Sequence, residues 1–209
     1  MCGAANGGIR FRRYGEGMVR PRSFDDDALL DAVIEQFWVS GYRGSSVSDL
    51  SRASGVANGS LYQAYGSKWE LFLAAYRRYC DRRVVFVDGV LGAPHEDLES
   101  ALVAYFDAIL ADCAAYPDRR GCLMLNSMAE LGDSPEVAGI AQKAVGGMEA
   151  AVVRAMVAAG GRVAGDSGVA ATAANVVALS QSMIHLSRIG RDEDELRQMG
   201  RQAAHALAS

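Results

Sequence analysis

Helix punctuation between residues 46 and 70 constrains this chain more than any other feature. Ser46-Val-Ser-Asp49 has the form of a capping box, with Asp in place of Glu, and opens a helix that Ser54-Gly55 stops. A second short helix runs from roughly Asn58 to Tyr65 until Gly66 breaks it. Ser67-Lys-Trp-Glu70 then opens another with a second capping box. Val47, Leu50 and Ala53 give the first short helix its apolar face, and the small residues Ala53 and Gly55 suit a close helix crossing. Two short helices joined by a Gly-containing turn follow the helix-turn-helix plan, in which the second helix enters the major groove. Any helical bundle contains such pairs, so the flanks decide what weight it carries.

On the amino-terminal side the plan needs a supporting helix. Ser23 is the expected N-cap of one, with Asp25, Asp26 and Asp27 placing negative charge in its first turn. Leu29, Leu30, Val33, Phe37 and Trp38 recur at helical spacing until Gly41. After Ser67, Leu71, Phe72, Ala75, Tyr76 and Tyr79 form a buried stripe. Beyond Pro94, further helices are expected over 96–115, 121–131, from Ser134-Pro135 to about Ala159, after Asp166-Ser167, and over 192–208. No convincing alternating stretch and no internal repeat occurs. The expected fold class is all-α, with about nine helices.

Composition excludes several classes. In a chain of 209 residues, 50% hydrophobic and 22% charged, wholesale disorder is excluded and a proper core is available. Cys2, Cys80, Cys113 and Cys122 form no CxxC pair, which fits neither a zinc knuckle nor a disulfide framework and suits a reducing cytoplasm. No apolar signal-peptide core stands at the amino terminus. The uncharged run from Ser167 to Ile184 approaches the length of a membrane span, yet Thr172, Asn175, Ser180, Gln181 and Ser182 suit a helix buried in protein, so no membrane partner is expected.

Charge is uneven. The net charge is −4, but residues 1–93 carry 12 Lys/Arg against 10 Asp/Glu, and residues 94–209 carry 9 against 15. A polyanion should therefore meet the amino-terminal part. Residues 1–22 read as a flexible Arg-rich arm, in which Met18 begins a second candidate start. Its Arg10, Arg12, Arg13, Arg20 and Arg22 suit a narrow minor groove, or simply a disordered tail.

Catalytic signatures are absent: there is no GxSxG, GxxxxGK[ST], HExxH or GxGxxG. His95, His185 and His205 lack ligand spacing, so no catalytic residue, metal site or cofactor is assigned.

With its flanks included, VSDLSRASGVANGSLYQAYGSKWELFLAAY resembles the DNA-binding domain of the TetR family of transcriptional repressors. Gly55-Val56, Gly59-Ser60-Leu61-Tyr62, Tyr65, Ser67-Lys68 and Glu70-Leu71 carry the likeness, over roughly residues 24–80. The departures are Ala57 for a capping Ser or Thr, Tyr65 for Phe, Gly66 for Pro and Asn58 for Lys or Arg. The resemblance implies a helix-turn-helix domain over 23–68 and a helical effector-binding and dimerisation domain over 69–209. It further implies a cytoplasmic homodimeric repressor that binds a palindromic double-stranded DNA operator and is released by a small-molecule effector. Tyr62 would donate its hydroxyl to a phosphate, or be a half-buried packing ring. Lys68 would bind a phosphate at its helix N-terminus. Ser46 would both cap its helix and touch phosphate. Ser60 and Gln63 are base-edge candidates, and Asn58 suits adenine. Tyr65, Leu61, Leu50, Val47, Phe37 and Trp38 are expected in the core. The rival readings are an all-helical enzyme or small-molecule carrier whose helix-turn-helix is structural, and a protein-binding adaptor.

In the second half, Tyr105, Phe106, Ile109, Cys122, Asn126 and Met128 are the expected effector pocket, with Met124 and Met148 as further candidates. Met and aromatic residues at this spacing also make simple core. Gly121-Cys-Leu-Met-Leu-Asn126 resembles the GCL segment of a TetR subgroup. Cys122, near a helix start and close in sequence to Arg119 and Arg120, suits a reactive thiolate or an inert buried thiol. Residues 168–187 are apolar nearly all round, with Ala170, Ala171, Ala173, Ala174 and Ala178 permitting close approach, so a second subunit is expected against one face.

Overall fold

A computed structural model describes residues 24–160 and 163–208. The Arg-rich arm and Ser23 lie outside the described residues. Among those described there are nine helices and no strand: α1 (Asp26–Ser40), α2 (Val47–Ser54), α3 (Asn58–Tyr65), α4 (Lys68–Leu91), α5 (Leu98–Ala114), α6 (Leu123–Leu131), α7 (Pro135–Ala158), α8 (Ser167–Arg188) and α9 (Glu193–Ala208).

Side-chain caps explain most of these starts. Ser46 accepts the Asp49 N–H while the Asp49 carboxylate accepts the Ser46 N–H, the full reciprocal box. Ser67 accepts the Glu70 N–H at 3.1 Å, Ser134 caps α7 with Pro135 in the first turn, and Asp166 caps α8. At α1 the expected cap is displaced. Asp25, not Ser23, takes the N–H groups of Asp27 (2.9 Å) and Ala28 (3.3 Å), leaving Asp26 and Asp27 to face the helix dipole.

The first three helices fold against the start of α4. Leu29, Val33 and Phe37 of α1, Leu50 of α2 and Leu61 of α3 are buried with Leu71, Phe72 and Ala75 of α4. Phe37 meets Phe72 edge-on at 5.2 Å. With 24 residues, α4 is about 36 Å long, long enough to leave this cluster and continue against α5 and α7. There Tyr76, Leu102, Tyr105, Phe106, Val152 and Met156 continue the same core.

Packing divides α8 into two faces. Val169, Ala173, Val176, Val177, Ser180, Met183 and Ile184 are buried within the chain. Ala170, Ala171, Ala174, Asn175, Ala178, Ser182 and His185 are exposed. Of the five alanines expected to admit a neighbour, Ala173 therefore serves the chain's own core. The helix is long and apolar enough to cross a membrane, but its inner face is packed on α5, α7 and α9.

Candidate nucleic-acid interface

The α2–α3 turn depends on backbone conformation. Gly55 lies in the left-handed region (φ +69°), and a side chain there would meet nothing within 4 Å. Ala53 is exposed. Close helix crossing is therefore not what these two small residues provide. Ser54 braces the turn by donating its hydroxyl to the Leu50 carbonyl (2.8 Å) and accepting the Val56 N–H (3.3 Å).

Helical geometry sorts α3 into two sides. Leu61 is buried and Tyr65 is part-buried, its hydroxyl reaching Asp26 at 3.4 Å. Asn58, Gly59, Tyr62 and Gln63, spaced i, i+1, i+4 and i+5, are exposed together. Tyr62 is 51% exposed, so about half of the residue is open to a partner. Ser60 is half-buried on the flank between the two sides. Ala57 offers no side-chain cap, so the first N–H groups of α3 are not satisfied by one.

Lys68 has other partners than those expected. Its ammonium donates to the carbonyl oxygens of Tyr42 and Ser45, each at 2.9 Å, and sits 4.1 Å from the centre of the Tyr42 ring. It thereby clamps the α1–α2 turn to the start of α4. All these partners are neutral, so the positive charge is undiminished, and the ammonium's third N–H is unused by these bonds. Ser46, also exposed, donates its hydroxyl to Asp49 at 2.6 Å within its cap. Two cations escaped the sequence reading: Arg43 in the α1–α2 turn and Arg52 on α2, both exposed, the latter paired with Asp49 at 3.0 Å. A local charge count would have found them, since residues 41–69 hold three cations against one carboxylate. The acidic face of α1 is turned elsewhere: Asp27 and Asp31 pair with Arg78 and Arg82 of α4.

Of the six side chains expected around an effector, Cys122 borders a cavity. Tyr105, Phe106 and Ile109 are at most 2% exposed and packed in the core, as are Met124 and Met148. The spacing that suggested a pocket is also the spacing of a packed helix face. The Tyr105 hydroxyl donates to Ser180 at 2.9 Å, and burial raises its pKa. Met128 is half-buried against Gly132. Asn126 donates to the Arg120 carbonyl (2.8 Å) and accepts from Arg188. Cys122 borders a recess shared with Tyr79, Arg83, Asp112, Arg119 and Arg188. Its sulfur receives the Tyr79 hydroxyl at 3.5 Å. Arg120, expected beside this thiol, is paired instead with Glu35 (2.5 Å) and Asp118 (2.9 Å).

Residues 29–75 match the model of the bacterial regulatory proteins of the tetR family. The chain is 39% identical over 121 residues to the HTH-type transcriptional repressor ComR of Escherichia coli K12, covering 57% of each chain. Such curated relatives are thus spanned for less than two thirds of their length. Among solved structures, a cysteine mutant of the TetR family transcriptional regulator CifR in complex with a 26-bp double-stranded operator superimposes with a TM-score of 0.73. It is 25% identical, with 90% of this chain and 98% of that one covered. Reduced E. coli NemR gives a TM-score of 0.76 at 19% identity, over 88% and 96% of the two chains, a likeness of fold.

Proposed function

From a chain that carries the amino-terminal domain of the tetR family of bacterial regulatory proteins, we propose a cytoplasmic, homodimeric transcriptional repressor that binds a palindromic operator and is released by a small molecule. The observation that carries this reading is the outer face of α3, where Asn58, Tyr62 and Gln63 are exposed while Leu61 holds the helix from behind. Gln63 and Asn58 read base edges, with Ser60 at their flank; Tyr62 and Ser46 donate hydroxyls to phosphates. Lys68 contributes a phosphate contact through its remaining N–H while its other two hold the α1–α2 turn.

Residues 23–68 form the DNA-reading unit and 69–209 the effector-binding and dimerising one. A second copy packs on the exposed alanines of α8. Two-fold symmetry then sets the two α3 helices about 34–36 Å, or a multiple of that, apart. The Gly121-Cys122-Leu123 segment supports membership of a GCL-containing subgroup within that family.

Fluorescence anisotropy with the chain's own upstream region tests the proposal. The expected result is binding preferred over unrelated duplex, with the logarithm of the affinity falling linearly in log salt. Equal binding to every duplex, or a strictly monomeric protein by sedimentation, overturns it.

A further inference from the structure

We propose that the effector is a small organic carboxylate, its anionic head held by Arg119 and Arg188 in the recess beside Cys122. The proposal rests on the effector-released reading above. The recess lies between α4, α5, the 115–122 connection and α8. Its charged walls are Arg83, Arg119 and Arg188 against one carboxylate, Asp112, a surplus of two positive charges. Arg83 donates to Asp112 at 2.7 Å and is 14% exposed, leaving further N–H groups of its fork unused by that pair. Arg188 donates to the neutral oxygen of Asn126, which satisfies a hydrogen bond but not a charge.

The backbone holds both free charges in place. Arg119 has φ +51°, a left-handed conformation rare for a non-glycine residue. Its guanidinium lies over Gly190, where an added Cβ would stand 2.3 Å from Nη1. Reciprocally, Arg188 lies over Gly121, where a Cβ would stand 2.9 Å from Cδ. The arginine of each segment thus crosses the glycine of the other, and positive φ at Gly121 (+70°) and Gly190 (+87°) favours glycine at both crossings.

Shape and charge together orient a ligand. The recess has about 20 Å³ of free volume, the room of one water-sized group such as a single carboxylate oxygen, so the second oxygen lies where the recess opens beside Arg119. Past Cys113, Tyr116, Arg119 and Ser187 it meets an outer cleft of about 460 Å³, the scale of small-molecule sites. In the cleft the charges balance, Arg119 and Arg191 against Asp192 and Glu193, beside apolar Leu110 and Leu196. A carboxylate is therefore drawn inward and an apolar body stays outside. Guanidinium forks match a carboxylate's two oxygens.

The same connection reaches the helix-turn-helix unit. Arg119 faces the recess, Arg120 pairs with Glu35 of α1, and the Gly121 carbonyl accepts the indole N–H of Trp38. A ligand that draws Arg119 inward bears directly on α1, and its differential affinity for the two arrangements sets the response.

Calorimetry on the full chain tests this with benzoate, phenylacetate and hexanoate, and with benzamide and inorganic phosphate as comparators. Saturable binding of at least one carboxylate is expected, with benzamide about tenfold weaker than benzoate or worse. The Arg119→Gln/Arg188→Gln double variant should lose about tenfold or more in carboxylate affinity, whereas Arg154→Gln, on α7 and outside both cavities, should not. The benzoate–benzamide comparison needs no variant and stands even where the double variant fails to fold. No saturable signal from any of the three acids, equal binding of benzamide, or binding of phosphate alone overturns the proposal. Operator binding measured in parallel separates the readings: carboxylate binding without DNA binding defeats the repressor, and DNA binding without carboxylate binding defeats this site.

Discussion

Trp38 donates its indole N–H to the carbonyl oxygen of Gly121 at 3.1 Å, joining the last turn of α1 to the connection two residues before α6. At the other end of α6, the Glu130 carboxylate accepts the backbone N–H groups of Tyr42 (2.9 Å) and Arg43 (2.7 Å). The helix-turn-helix unit is therefore fastened to both ends of one short helix. Glu130→Ala removes two charge-assisted bonds from the end of α1 and should destabilise the chain by about 1–3 kcal/mol. Urea denaturation checks it: the midpoint should fall with the slope unchanged.

Lys68→Met keeps a long apolar stem but abandons the carbonyls of Tyr42 and Ser45. A stability loss of about 1–3 kcal/mol is expected, together with weaker DNA binding on every sequence alike. Denaturation and anisotropy measured on the same variant test the two halves of this statement.

On α3, Gln63→Ala should alter preference between operator variants, by about 1–3 kcal/mol at the base it reads. Tyr62→Phe deletes only a hydroxyl and should weaken all duplexes uniformly, by about 0.5–1.5 kcal/mol. Identical effects of both changes across a set of single-base operator variants would refute the division of roles.

Ser180→Ala strands the buried Tyr105 hydroxyl and should cost about 1–3 kcal/mol. Adding Tyr105→Phe removes the stranded group, so the double variant should recover much of that loss. A thermodynamic cycle on the two sites measures the coupling.

Two arginines hold the Asp31 carboxyl below its ordinary value of 3.8, the Arg82 hydrogen bond most strongly, then Arg78. A depressed pKa adds stability above the unfolded value, and that stability is lost as the pH falls through 3.8 toward the folded value. The Asp31 side chain is 45% exposed, so the contribution is small, about 0–1 kcal/mol. Melting curves should show Asp31→Asn below the parent at neutral pH, with the gap closing in acid.

Helix starts were legible because caps are local: Ser46, Ser67, Ser134 and Asp166 each bond an N–H within three residues. Ser23 misled because Asp25, two positions on, is an equally good cap. The outer face of α3 was legible in part: the helix-turn-helix plan pointed to Asn58 and Gln63, which are exposed, and to Ser60, which is half-buried. The clamp made by Lys68 was not legible because its acceptors belong to residues 42 and 45, more than twenty positions upstream. The aromatic stripe of α5 carried the same ambiguity: spacing alone does not distinguish a face that lines a pocket from one that fills a core.

By itself the sequence determined where helices begin and end and which side of each is apolar, since both follow from bonds and contacts one turn long. Only the tertiary structure decided which charges meet. Arg119 and Gly190, like Arg188 and Gly121, lie on segments far apart in the chain. They come together because α5, α8 and the connection between α5 and α6 pack as one body, and no local pattern encodes that encounter.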